Sequence, residues 1–265
     1  MEEYDYINVP GLKLRTSEFP NPCEEGFARF MDRFMEFNCQ SHLEKFEITY
    51  FECNGYRDRF MDLIGTVVDR GIQHLDVLMY TCNRNDFIRQ NIYKSKTLVS
   101  LNLVNIELKK PEFVVSLPCL KIMRLCNVCY GEDGPIVVEK LISGCPVLED
   151  LQLLRPFGIL NQKVLLFLRI RSQTLKSLQV SFTPFINTRG TDFSVEIDTP
   201  QLKYMTVEQC HSDSIMVKKL SSLFRIDIGS KLHPLRHFDF NIFRDFLTGI
   251  SSVRHMIIWE RTLKV

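Results

Sequence analysis

Nine times along this chain an apolar residue is followed three and then five positions later by two more. The triplets are Leu43/Phe46/Ile48, Ile72/Leu75/Val77, Leu98/Leu101/Leu103, Leu120/Met123/Leu125 and Leu148/Leu151/Leu153. They continue with Leu175/Leu178/Val180, Leu202/Met205/Val207, Leu223/Ile226/Ile228 and Val253/Met256/Ile258. The fourth and sixth positions of each unit lie on one face of a strand, because side chains alternate faces with a period of two. A strand this short cannot bury its apolar face alone. The recurrence therefore demands stacked units, each covering the next.

The mean spacing, about 26 residues, falls inside the window of leucine-rich repeats. The expected fold is α/β, a leucine-rich-repeat solenoid (horseshoe) of about nine irregular repeats. Tyr4 to Pro22 is rich in proline and turn residues, so 1–22 reads as an extended lead-in and 23–265 as the repeat domain. Phe27, Phe30, Met31 and Phe34 share one helical face, which predicts a capping helix over 24–38 that covers the first repeat. Phe60, Leu63, Ile64, Val67 and Val68 predict a helix ended by Gly71. Pro135 to Ser143 predicts a second, before Gly144, and Ile242, Phe243, Phe246, Leu247 and Ile250 a third. Pro111 and Pro118 exclude a helix from the return path of the repeat that starts at Leu98. Val164 to Ile170 and Phe193 to Ile197 read as extra strands on the outer side.

Thirty-three basic residues against 32 acidic ones leave a formal charge of +1, without a long run of either sign. That balance argues against a nucleic-acid or membrane-surface binder, which needs a concentrated basic face. The acidic start, Met1 to Pro10, lacks the regions of a secretory signal, and no apolar run is long enough for a membrane span. Nine scattered cysteines follow no framework spacing, which suits reduced thiols in the cytoplasm or nucleus.

Catalytic and metal chemistry find little support. Cys126-Asn-Val-Cys129 has a zinc-like or redox spacing but no second pair, so packing after a repeat strand is the better reading. Pro234 breaks the helix that would align His233 with His237, and Cys210-His211 falls where such repeats carry a packed Asn or Cys. No glycine-rich phosphate loop, H-E-x-x-H or nucleophile elbow is present. Glu107, Glu112, Glu132, Asp133, Glu149 and Asp150 lie around turns and read as solvated carboxylates. The expectation is no enzyme, with no catalytic, cofactor or metal site.

If positions one, four and six face the core, positions three, five and seven line the concave side. Position five holds Glu47, Asp76, Asn102, Arg124, Gln152, Gln179, Thr206, Asp227 and Ile257, polar in all but the last. Position three includes Tyr204, Arg225 and His255, and Trp259 takes position seven of the last unit. A solvated face explains most of these. Aromatic and arginine residues, however, are the types enriched at binding hot spots. The candidate partner-binding residues are Arg124, Gln152, Gln179, Tyr204, Arg225, Asp227, His255 and Trp259.

The segment ISGCPVLEDLQLL, Ile142 to Leu154, resembles the SGCPVLEDL repeat of plant F-box/FBD/LRR-repeat proteins. VPGLKLRTSEFP (Val9 to Pro20) resembles the segment after the F-box in that family, and FARFMDRFMEFN the helix that follows. RGIQHLDV, SKTLVSLNL, IDTPQLKYM and FLTGISSVRHMIIWERTLKV resemble its successive repeats. The resemblance implies a non-catalytic module that recognises a target protein for an SCF-type ubiquitin ligase. In that family an F-box precedes the VPGLKL-like segment and an FBD region follows the TLKV-like one. Neither matches residues of this chain, so a Skp-type adaptor is not an expected partner. The alternative is a stand-alone leucine-rich-repeat interaction protein, or a truncated product, with no ubiquitin role.

Overall fold

The computed structural model describes residues 11–19, 43–51, 57–80, 87–130, 134–154, 166–181, 193–208, 214–218, 220–229 and 240–258, with six helical residues between 26 and 33. Its main element is a ten-stranded sheet: β1 (Gly11–Arg15), β2 (Lys45–Tyr50), β3 (His74–Met79), β4 (Ser100–Val104), β5 (Ile122–Cys126), β6 (Asp150–Leu154), β8 (Ser177–Ser181), β10 (Tyr204–Glu208), β12 (Arg225–Ile228) and β13 (His255–Ile258). These strands pair in chain order, and every pair is parallel. Nine of them carry the nine apolar triplets.

Register follows from the triplets. Phe46, Leu75, Leu101, Met123, Leu151, Leu178, Met205 and Ile226 form one buried row, and Ile48, Val77, Leu103, Leu125, Leu153, Val180, Val207 and Ile228 the next. A one-residue slip would turn both rows into water, so the pattern holds each strand in place.

Two backbone devices repeat beside the core. At the entries of β3, β4, β5, β6, β8, β10, β12 and β13 the N–H groups of positions two and three both donate to the position-two carbonyl of the preceding unit. Gln73 and His74 bond Glu44 at 2.9 Å each, and Arg254 and His255 bond Phe224 at 3.2 and 3.0 Å. Before several strands a tight turn closes from residue i to i+3, as Leu117 to Leu120 (3.2 Å), Cys145 to Leu148 (3.2 Å) and Thr199 to Leu202 (3.1 Å). Pro118, Pro146 and Pro200 occupy the second position of these turns, where a fixed φ is favourable.

Side chains also tie one unit to the last. Thr97 Oγ1 donates to the Ile72 carbonyl at 2.9 Å, and Thr174 Oγ1 to that of Leu148 at 2.8 Å. The Thr97 and Thr174 N–H groups in turn donate to Ser95 and Ser172 hydroxyls. Asn105 and Asn127 take positive φ just after β4 and β5, which asparagine tolerates better than most residues. Asn127 Nδ2 donates to Asn105 Oδ1, and Asn105 Nδ2 to the Met79 carbonyl, a ladder across three units.

The opposite layer is mixed. α1 (Arg57–Asp69) packs beside a 3₁₀ turn at Gln90–Lys94 and ends at Gly71, whose φ of 83° suits glycine. The path after β4 is extended as expected. α2 (Gly134–Ser143) packs on β7 (Leu166–Arg171), which pairs in parallel with β9 (Phe193–Asp198) and then β11 (Ser214–Lys218). α3 (Phe240–Gly249) closes this row against β11. Gly144 touches Val115 so closely that an added Cβ would lie 2.5 Å from Val115 Cγ1.

Several expectations need correction. Gly11–Arg15, read as lead-in, is the edge strand: it pairs with β2, and Leu12 and Leu14 extend the two core rows. A strand, not a helix, therefore takes up the free edge of β2. Of the expected 24–38 helix, residues 26–27, 29–30 and 32–33 are helical, with Phe27 buried against Phe19 at 5.2 Å between ring centres. Met31, Phe34 and Phe37 lie outside the described residues. β11 was not anticipated. Met256 and Ile258, expected in the core, are 41% and 40% exposed, because β13 has a neighbour on its β12 side only among the described residues. Leu247 faces outward, and the side chains of Ile242 and Phe243 are outside the described set. Glu107, expected to be solvated, is buried where the chain bridges Phe87 and Cys129.

Candidate partner-binding face

The face of the ten-stranded sheet opposite its core carries no covering element among the described residues, and two polar rows run across it. Position five aligns Lys13, Glu47, Asp76, Asn102, Arg124, Gln152, Gln179, Thr206, Asp227 and Ile257. Position three aligns Lys45, His74, Ser100, Ile122, Asp150, Ser177, Tyr204, Arg225 and His255. The period-two alternation of each strand puts these side chains outward as it puts the leucines inward.

Charge is organised along the rows. Near β1 and β2, Lys13 Nζ lies 2.9 Å from Glu47 Oε2 and Lys45 Nζ 2.5 Å from Glu47 Oε1. The hydrogen bonds from Lys45 and then Lys13 hold the Glu47 carboxyl below the usual carboxylate range. Asn102 Nδ2 donates to Asp76 Oδ1 at 3.0 Å. In the middle, Arg124 reaches Asp150 at 3.5 Å, and Gln179 Nε2 donates to Glu208 Oε1 at 3.3 Å. Further along, Arg225 makes a two-pronged contact with Asp227, Nε to Oδ1 and Nη2 to Oδ2, both 2.8 Å. That carboxylate raises the already high arginine pKa further.

The structure thus brings seven of the eight candidate residues onto one continuous face. Arg124, Gln152 and Gln179 occupy adjacent strands in one row; Tyr204, Arg225 and His255 do so in the other, beside Asp227. Trp259 lies outside the described residues, as do His233, His237, Cys210 and His211. Cys126 is the last residue of β5 rather than part of the following turn, and its thiol is free. Among the described residues no three histidine, cysteine or carboxylate side chains are gathered to hold a metal ion.

The sequence reading missed position two. Phe224 there is 39% exposed and lies between Tyr204 (6.3 Å between ring centres) and His255 (4.7 Å). Lys203 and Arg254 occupy the same position on the flanking strands. An aromatic residue directly after the first leucine of a unit was the available signal. Position two precedes the strand, so strand alternation assigns it no face.

Comparison with known proteins agrees with this organisation. The leucine-rich repeats of FBD-associated F-box protein At5g56370 define a family model that matches residues 61–235. F-box/FBD/LRR-repeat protein At5g44980 of Arabidopsis thaliana is 67% identical over 96% of this chain and 59% of its own length. F-box/FBD/LRR-repeat protein At2g26030 of the same organism is 49% identical over 99% of this chain and 61% of its own. F-box/LRR-repeat protein 13, also from Arabidopsis thaliana, is 35% identical over 97% and 58%. The chain spans about three fifths of the length of these relatives. No solved structure matches it. The chain belongs to the leucine-rich-repeat family of FBD-associated F-box proteins.

Proposed function

We propose that the ten strands form a leucine-rich-repeat solenoid of about nine irregular repeats, curved as a horseshoe with the polar rows on its concave side. We further propose that it works as a non-catalytic recognition module, the target-binding part of a plant F-box protein of an SCF-type ubiquitin ligase. Such a module makes or breaks no bond. It holds a target close to the ligation machinery and so raises its effective concentration there.

The observation that carries this reading is the pair of in-register polar rows on a backbone pinned at eight strand entries by forked hydrogen bonds. Side chains held on such a scaffold lose little further freedom on binding, which favours recognition. The free thiols of Cys119, Cys126 and Cys145 fit a reducing compartment, the cytoplasm or nucleus.

The test is proximity labelling in plant cells with the wild-type chain and with Arg124→Ala/Gln152→Ala/Gln179→Ala. The expected result is a target protein labelled by the first and lost with the second, whose abundance rises when the module is deleted. Labelling that is the same for both would remove the open face from recognition. A target whose abundance ignores the module would remove the ubiquitin role.

A further inference from the structure

Acids and bases are not matched evenly along the open face. At its start Glu47 is clamped by two lysines, and in the middle Arg124 meets Asp150. At its far end each of three successive strands enters on a basic and an aromatic or imidazole residue: Lys203-Tyr204, Phe224-Arg225 and Arg254-His255. Register places Tyr204, Arg225 and His255 side by side, with Lys203, Phe224 and Arg254 in the adjacent row. Cations and rings therefore alternate in both directions.

All six residues are exposed, with Tyr204 at 51%. Arg225 is committed to Asp227. Lys203 and Arg254 have no carboxylate within ion-pairing distance among the described residues. The rings meet edge-on or tilted and leave open apolar surface between the two free cations. Backbone positions beneath them are pinned, since Lys203 and Tyr204 bond the Lys176 carbonyl (2.8 and 3.0 Å) and Phe224 and Arg225 that of Lys203 (2.9 and 3.0 Å).

We propose that this corner docks an acidic, aromatic-bearing segment of the target protein, its carboxylates on Lys203 and Arg254 and its apolar side chain over Phe224. The inference deepens the recognition role proposed above and rests on it. Charge complementarity selects the occupant: two cations without a carboxylate partner among the described residues flank a ring cluster, so carboxylates spaced around an aromatic residue satisfy both. A nucleic acid fits less well, because it needs a long basic track and the whole chain carries a net charge of only +1.

The test selects binders from a random phage-displayed dodecapeptide library on the full chain. Selected peptides are then measured by fluorescence anisotropy against four proteins: wild type, Lys203→Ala/Arg254→Ala, Arg124→Ala/Gln152→Ala and Phe224→Ala. All the substitutions are at the surface, and circular dichroism checks the fold. The expected result is peptides rich in Asp and Glu around an aromatic residue, weakened at least about tenfold by the first variant. Their affinity should fall with salt, and the corresponding Asn/Gln peptides should not bind. Phe224→Ala should weaken them while leaving the melting temperature unchanged. Neutral peptides lost only with Arg124→Ala/Gln152→Ala would overturn this inference and leave the open-face reading standing. Peptides indifferent to both double variants, or an empty selection, would remove both. A single-stranded oligonucleotide that competes with the peptides as well as they compete with each other would also overturn it.

Discussion

Leu151 and Gln152 are neighbours in the chain and opposites in environment: Leu151 is fully buried, and Gln152 sits half-exposed in a polar row. Leu151→Asp would place a carboxylate among apolar groups at a cost of several kcal/mol, a large share of a stability of roughly 5–15. Loss of the cooperative thermal transition is the expected outcome, whereas Gln152→Ala should stay within about 0.5 kcal/mol of wild type. Equal damage in thermal melts would mean that the strand register is wrong. Glu196, on the outer three-stranded sheet, tests charge at the same scale. Its side chain is 8% exposed and accepts bonds from Lys218 Nζ at 2.6 Å and Arg171 Nη2 at 3.0 Å, which hold its carboxyl below the usual range. A carboxyl with a lowered pKa in the folded state stabilises the fold above its unfolded pKa, about 4.3. That contribution disappears as pH falls through the folded value. The stability gap between wild type and Glu196→Gln, about 1–2 kcal/mol at neutral pH because the cations are half-exposed, should therefore close in acid. Urea titrations at several pH values would show it; a gap that does not narrow at all as pH falls below about 4.3 would remove the charge network as its cause.

At the scale of an element, the turn before a strand matters as much as the strand. The Ser-x-Thr-Leu sequences at Ser95 and Ser172 make the same set of contacts, each ending on the first-position carbonyl of an earlier unit. Thr97→Val and Thr174→Val keep shape and remove that bond, so each should cost about 1 kcal/mol in chemical denaturation, the net worth of one such hydrogen bond. The two should add, since they are separated along the stack. A neutral pair of variants would show that the turns are held by leucine burial alone. Element prediction from the sequence succeeded wherever one period dominated. Two of the three helices came from their apolar spacing, the one at Pro135–Ser143 from a starting proline and a following glycine, and the extended return after β4 from two prolines. β1 was missed although Leu12 and Leu14 alternate with Lys13 and Arg15 as in the other strands. Its flanking prolines and turn residues outweighed five residues of pattern. β11 was missed because Ser214–Lys218 offers too few residues for periodicity to register.

At the scale of the molecule, the outer layer changes from helix to extended chain to a second sheet, while the inner sheet continues from β1 to β13. The inner rows are one residue deep and repeat, so variation is absorbed outside. The first helical residues are already engaged: Phe27 is buried against Phe19, and Phe30, 38% exposed, packs on the same ring at 5.2 Å between ring centres. Expressed as the 265-residue segment, the chain is therefore expected not to bind a Skp-type adaptor at micromolar concentration, about −8 kcal/mol. Calorimetry that detects such binding would reveal a docking surface beyond the rows described above.

By itself the sequence determined the stack. Nine apolar triplets with a near-constant period specify parallel strands, their register and the side on which each residue lies, because side-chain alternation is local and burial repeats from unit to unit. It also placed Arg124, Gln152, Gln179, Tyr204, Arg225, Asp227 and His255 on the outward side. Only the tertiary structure decided which of them meet. Arg225 finds Asp227 two residues away in its own strand, Arg124 finds Asp150 on the next, and Phe224 joins Tyr204 and His255 across three strands. The two cross-strand partnerships, Arg124 with Asp150 and Phe224 with Tyr204 and His255, depend on how far each side chain leans across to its neighbour, which no local period encodes. The same holds for the edge. Whether Leu14 or Met256 is covered depends on what lies beside the strand, and that neighbour is supplied by the fold rather than by the strand's own sequence.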